Sequence, residues 1–145
     1  MNEKPYPFTL SRTEYRYEFV SVSLEKEVRK IVLLSQTDAI NIFNLALLDV
    51  LEDGETSDIS ETRNDDLKTV LATVIQIINT FLTTKPNCLI AFKGSDQRRQ
   101  RLYRIVISRE LSEIRKKFDV FGGIGNTIHL FESNKQFDYY LIQKL

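Results

Sequence analysis

Tryptophan is absent, and cysteine, histidine and methionine each occur once in the 145 residues. With Cys88 as the single thiol, no internal disulfide can form. With His129 as the single imidazole, no Cys/His set exists for a structural zinc site or a Cys-His nucleophile pair. Three prolines and five glycines leave no linker or low-complexity tract, and no internal repeat divides the chain. No apolar run approaches the roughly 18 residues that a membrane span needs. The opening MNEKPYPFTL mixes charges and carries two prolines where an export signal would have an apolar stretch. The expectation is therefore a cytoplasmic protein away from the membrane, with Cys88, beside Leu89 and Ile90, as a buried thiol.

Neither sign of charge is in excess, with 20 basic and 20 acidic side chains, but the distribution is uneven. Residues 49 to 66 hold eight acidic side chains against Arg63, whereas residues 93 to 117 hold nine basic against three acidic. Such blocks either pair with one another across a fold or present opposite signs to different partners. A hydrophobic content of 42% over this length suits one α+β domain covering 1–145.

Pro5 and Pro7 make residues 1–12 an extended N-terminal arm without regular sheet pairing. Tyr15, Tyr17 and Phe19 alternate with Arg16 and Glu18, the period of a strand with one buried face. Strands are also expected over 28–35, where Ile31 to Leu34 suits burial on both faces, and over 40–48, where a short helix is the alternative. Residues 52–63 read as an acidic loop. Asn64 or Asp65 then caps an amphipathic helix whose Leu67, Val70, Leu71, Val74, Ile77, Ile78, Phe81 and Leu82 recur at spacings of three and four, ended by Pro86. A buried strand follows over 88–92, making strand, helix and strand a candidate parallel crossover. After a second helix come strands at 119–121, 127–132 and 137–144, joined by turns at GGIGN and SNKQ. The expected architecture is an antiparallel or mixed sheet of six to seven strands with two long helices packed on it.

The second helix concentrates the chemistry. Read as one helix from Ser95 to Phe118, it places Leu102, Tyr103, Val106, Ile107, Leu111, Ile114 and Phe118 on one half-turn. Arg98, Arg101, Arg104, Arg109, Arg115 and Lys116 occupy the other. A helix starting at Gly94-Ser95 with Arg98, Arg101 and Arg104 nearby is suited to bind phosphate or carboxylate. The site lacks the G-x-x-x-x-G-K-[ST] and G-x-G-x-x-G patterns, so no nucleotide cofactor is implied. The bland alternative is that these arginines are solvated or neutralise the chain's own acidic loop. A weaker constellation is a metal site from Asp49, Asp65 and Asp66, where Asp66-Leu67-Lys68 matches half of a nuclease signature; capping alone would also produce an acidic helix start. The aromatic residues at strand spacing fit a core better than a base-stacking platform.

The stretches FNLALLD (43–49), NDDLKTVLATV (64–74) with Phe81, and GSDQRRQRLYRI (94–105) resemble a family of small uncharacterised bacterial proteins, a domain of unknown function common among Bacteroidetes. The ending, with Phe131 and residues 137–144, is also similar, while Leu47 and Leu48 replace an aromatic-glycine pair expected before Asp49. The resemblance implies a bacterial cytosolic protein. It points to Asn64, Asp66, Gly94, Ser95, Arg98, Arg101, Leu102, Tyr103 and Arg104, and carries no activity with it. Two functions follow as expectations, beside a purely structural or partner-stabilised role suggested by size and family. One is a binding module whose basic helix face meets an acidic partner protein or a nucleic-acid backbone. The other is a metal-dependent enzyme acting on phosphate esters or nucleic acid, with the aspartates holding the metal and the arginines the phosphate.

Overall fold

Alternating side chains make the strands. In a computed structural model that describes residues 3–11, 15–22, 27–57 and 67–145, the Tyr15–Val22 strand (β2) turns Tyr17 and Phe19 into the core and Glu18 and Val20 away from it. It pairs antiparallel with Glu27–Gln36 (β3), which pairs antiparallel with Ile42–Val50 (β4). Where an arm without regular sheet pairing was expected, the chain after Pro7 forms Phe8–Ser11 (β1), an edge strand antiparallel to β2. Proline withholds a ladder hydrogen bond only at its own position, so pairing begins immediately past it. Tyr6, between the prolines, is also held: its backbone N–H donates to Thr73 Oγ1 at 2.8 Å, and its ring stacks on Phe19.

The acidic loop contains a two-residue strand, Thr56–Ser57 (β5), paired with the end of β4, and residues 58–66 with the expected caps Asn64 and Asp65 lie outside the described residues. The Leu67–Thr84 helix (α1) follows, then Leu89–Phe92 (β6), which lies parallel to β4 and completes the crossover. The second helix is two pieces. Gln97–Arg109 (α2) closes at Glu110, and a single turn, Leu111–Ile114 (α3), leads into Phe118–Ile124 (β7). The backbone of Glu110, at φ −103° and ψ 10°, leaves the helical path, and this redirection sets Ile114 and Phe118 into the core where a straight helix would carry on past them. Thr127–Leu130 (β8) and Tyr139–Lys144 (β9) end the chain.

One mixed sheet of nine strands results, in the order β1-β2-β3-β4-β6-β9-β7-β8, with β5 beside β4. Apart from β1 and β5, its strands are those expected from the sequence. Gly122 and Gly123, expected in a turn, lie within β7. A Cβ at either position would enter the ring of Phe137 or Tyr139, so these glycines make room for aromatic packing, and only Gly125, at φ 56°, serves the turn itself.

The helices pack on one face. Val70, Val74, Ile77, Ile78, Phe81 and Leu82 of α1 meet Tyr17, Phe19, Val32, Leu34, Phe43 and Leu45, and Ile107 and Ile114 join the same core. Phe43, Phe81 and Tyr15 make edge contacts with centroids 5.0 to 5.8 Å apart. Burial of Phe43 and Phe81 contributes about 1.5–3 kcal/mol each, while Tyr15 caps the cluster from the exposed side. The reverse face of β3 and β4 carries Ile31, Leu33, Ala46 and Leu48, which explains why their alternation is blurred in the sequence. Among the described residues no helix is long and apolar enough to cross a membrane.

Candidate anion-binding cavity

Chain order places the basic helix next to the last strand. Because β6 lies between β4 and β9, the segment that leaves β6 at Lys93 rises beside the residues leading into β9. Between them is an open cavity of about 600 Å³, lined by Gly94, Asp96, Gln97, Arg98, Gln100, Arg101 and Arg104 on one side and Gln136, Phe137, Asp138 and Tyr140 on the other. Four of the five residues expected at an anion site, Gly94, Arg98, Arg101 and Arg104, thus share one cavity. Ser95 is exposed and does not line it.

Gln100 fixes the floor. The Gly94 N–H donates to Gln100 Oε1 at 2.6 Å, Gln100 Nε2 donates to the Phe137 carbonyl at 2.9 Å, and the Tyr140 hydroxyl donates to the Gln100 carbonyl at 3.0 Å. One side chain and its own backbone therefore tie the loop, the helix and the β9 approach together. Gly94 is obligatory for this approach, because a Cβ there would collide with the backbone of Arg99 and Gln100. Tyr140 is fully buried, and burial pushes its hydroxyl up to about 12, with Arg104 pulling in the opposite direction.

The helix start differs from the expected one. Asp96, not Ser95, is the N-cap: its Oδ1 accepts the Arg99 N–H at 2.8 Å, and its Oδ2 pairs with the Arg99 guanidinium at 2.6 Å. The hydrogen bond from the Arg99 backbone holds the Asp96 carboxyl below the usual aspartate range. The positive end of α2 is thus already met by a carboxylate, and the Gly94 N–H is taken by Gln100. What the cavity offers an anion is the guanidinium groups rather than the helix terminus. Sequence could not separate Ser95 from Asp96, since both residue types are favoured caps.

The arginines have different circumstances. Arg99 is engaged by Asp96, and Arg115 donates to the Phe131 carbonyl at 3.2 Å. The guanidinium groups of Arg98, Arg101 and Arg104 make no hydrogen bond or ion pair among the described residues. In particular, none is joined to Glu52, Asp53 or Glu55 of the acidic loop; the remaining acidic residues of that loop, 58–66, lie outside the described set. Gln136 and Asp138 carry no signal in the sequence because 32 residues or more separate the two walls, from Arg104 to Gln136, and the strand order joins them.

Asp49, offered as a metal ligand, stands elsewhere. It lies opposite Lys30 in the β3–β4 ladder, and Lys30 Nζ donates to its Oδ1 at 2.6 Å in a buried ion pair. It does not line the arginine cavity. Asp65 and Asp66 fall outside the described residues, among which no cluster of three or more His, Cys, Asp or Glu side chains is arranged to hold a metal ion. His129 sits in β8 with its Nε2 2.9 Å from Thr127 Oγ1, and Cys88 is a half-buried free thiol packed against the core.

Residues 2–145 match the Family of unknown function (DUF6934), in keeping with the resemblance to a domain of unknown function read from the sequence. No curated protein and no solved structure matches the chain.

Proposed function

Since the chain belongs to that family, whose model spans nearly all of it, we propose a role from the cavity itself: a binding module that recognises an oxyanion through Arg98, Arg101 and Arg104. The observation that carries this reading is the gathering of three guanidinium groups, without ion-pair partners among the described residues, into one concave surface with hydrogen-bonding groups opposite. Clustered like charges repel, and a fold that keeps them side by side gains most when an anion bridges them. Arginine suits this task because its planar fork matches carboxylate and phosphate oxygens in pairs. An acidic protein segment, a nucleic-acid backbone and a small phosphate ester share this chemistry. The free thiol of Cys88 supports a cytoplasmic, reducing setting.

Calorimetric titration of the full chain with inorganic pyrophosphate at rising salt tests the reading. Affinity falls as salt rises, and Arg101→Glu together with Arg104→Glu removes it while circular dichroism stays unchanged. Binding that ignores both salt and the charge reversal refutes the assignment.

A further inference from the structure

Resting on that reading, we propose that the ligand is a small phosphorylated polyol, a phosphate monoester whose carbon skeleton carries free hydroxyls, and not a nucleic-acid strand. The two walls of the cavity have different chemistry. Arg98, Arg101 and Arg104 stand on one, spread over six residues of helix or about 9 Å of rise, the breadth of one compact ligand. Across from them are Gln136, whose amide both donates and accepts, and Asp138. Asp138 Oδ2 accepts the Gly125 N–H at 2.8 Å, and its other oxygen accepts no hydrogen bond among the described residues.

A carboxylate here decides between ligands. A nucleic-acid strand carries a negative charge on every nucleotide and would bring further phosphates against Asp138 and Asp96, at a Coulombic cost. A sugar phosphate has one anionic end for the arginines and neutral hydroxyls that donate to a carboxylate, a charge-assisted bond. The aromatic residues argue the same way. Phe137 and Tyr140 line the cavity but are 4% and 0% exposed, so they offer no ring face on which a base could stack. The volume of about 600 Å³ falls within the range typical of small-molecule clefts, about 300–1,000 Å³.

The test compares four probes by calorimetry on the full chain: ribose 5-phosphate, ribose, inorganic phosphate and a short single-stranded oligonucleotide. Ribose 5-phosphate binds at least about tenfold tighter than inorganic phosphate, the scale of one charge-assisted hydrogen bond. Asp138→Asn lowers the affinity for ribose 5-phosphate and raises that for inorganic phosphate, because its single oxygen stays with the Gly125 N–H and a neutral NH2 donor replaces the charged acceptor oxygen. Gln136→Ala, at an exposed position that does not take part in the Asp138–Gly125 hydrogen bond, lowers the first without the second and keeps the comparison available if Asp138→Asn disturbs that turn. An oligonucleotide that binds tighter than ribose 5-phosphate, or inorganic phosphate that binds equally well, overturns the polyol assignment and leaves the arginine cavity standing. Failure of every phosphate-bearing probe to bind, or binding unchanged by Arg101→Glu, overturns both.

Discussion

Lys30 and Asp49 face each other across adjacent strands, Nζ to Oδ1 at 2.6 Å, on the side of the sheet that the helices cover. Lys30 is 2% exposed, so its ammonium has been taken out of bulk water, and the carboxylate compensates the loss. Asp49→Ala withdraws this carboxylate from the buried ammonium and is expected to destabilise the fold by up to about 3–5 kcal/mol, read from urea unfolding midpoints. Replacing both partners, Lys30→Met with Asp49→Leu, recovers most of the loss, because an apolar pair of similar volume has no desolvation penalty to offset.

Gln100 is expected to be as sensitive for a different reason. Gln100→Leu deprives the Gly94 N–H and the Phe137 carbonyl of their partner, at about 1–3 kcal/mol for the unsatisfied groups. Gly94→Ala strains the same junction by overpacking, again by about 1–3 kcal/mol, since the obstructing atoms belong to the backbone and cannot swing aside. Both variants should also weaken pyrophosphate binding, although neither removes an arginine.

Asp96 separates helix capping from charge. Asp96→Ser keeps a capping oxygen and removes a carboxylate from the cavity wall, so pyrophosphate binds more tightly at nearly unchanged thermal stability. Asp96→Ala tightens binding too but lowers the melting temperature. The pH dependence has a definite sign. A carboxyl held below its usual range stabilises the fold above the ordinary aspartate pKa, and this contribution disappears as pH falls through the depressed value. Acidification should therefore fray the first turn of α2, seen as faster exchange of the Arg99 amide.

Tyr140 reports on the cavity at the alkaline end. Its pKa of about 12 lies above the ordinary value of 10.0, so its contribution is complete below the ordinary value and is lost as pH rises through about 12. Ultraviolet titration should show Tyr140 ionising late. Arg104→Ala removes the neighbouring charge that favours the phenolate and should push the ionisation later still.

Much of this fold is legible in the sequence because burial imposes a period. Tyr17 and Phe19, or Val70, Val74, Ile77 and Phe81, can be sorted inward without any structure, and the strand-helix-strand order forecasts the parallel pairing of β4 with β6. The arginine cluster was legible too, as the part of a helix wheel that packing does not require. The opposite wall of the cavity was not. Gln136 and Asp138 carry no local signal, and they reach the arginines only because β9 inserts beside β6 instead of continuing a meander. The break at Glu110 was hidden as well: a wheel assumes a straight axis, and nothing in the local propensities of RELSEI marks where tertiary packing bends it.

Four-residue β6 has a consequence for how the molecule opens. On one side of it β1 to β4 form a sequentially paired ladder; on the other, β7, β8 and β9 form a second. Among the described strands only β6 hydrogen-bonds to both, through three parallel pairs with β4 and four antiparallel pairs with β9. Native-state exchange should therefore resolve two cooperative blocks that part along this seam before either unravels. The arginines hang from the strand in the seam and their facing wall from β9, so an occupied cavity acts as a clasp across the fault line. Protection gained by the amides of Ile90 and Phe92 on ligand addition would be its signature.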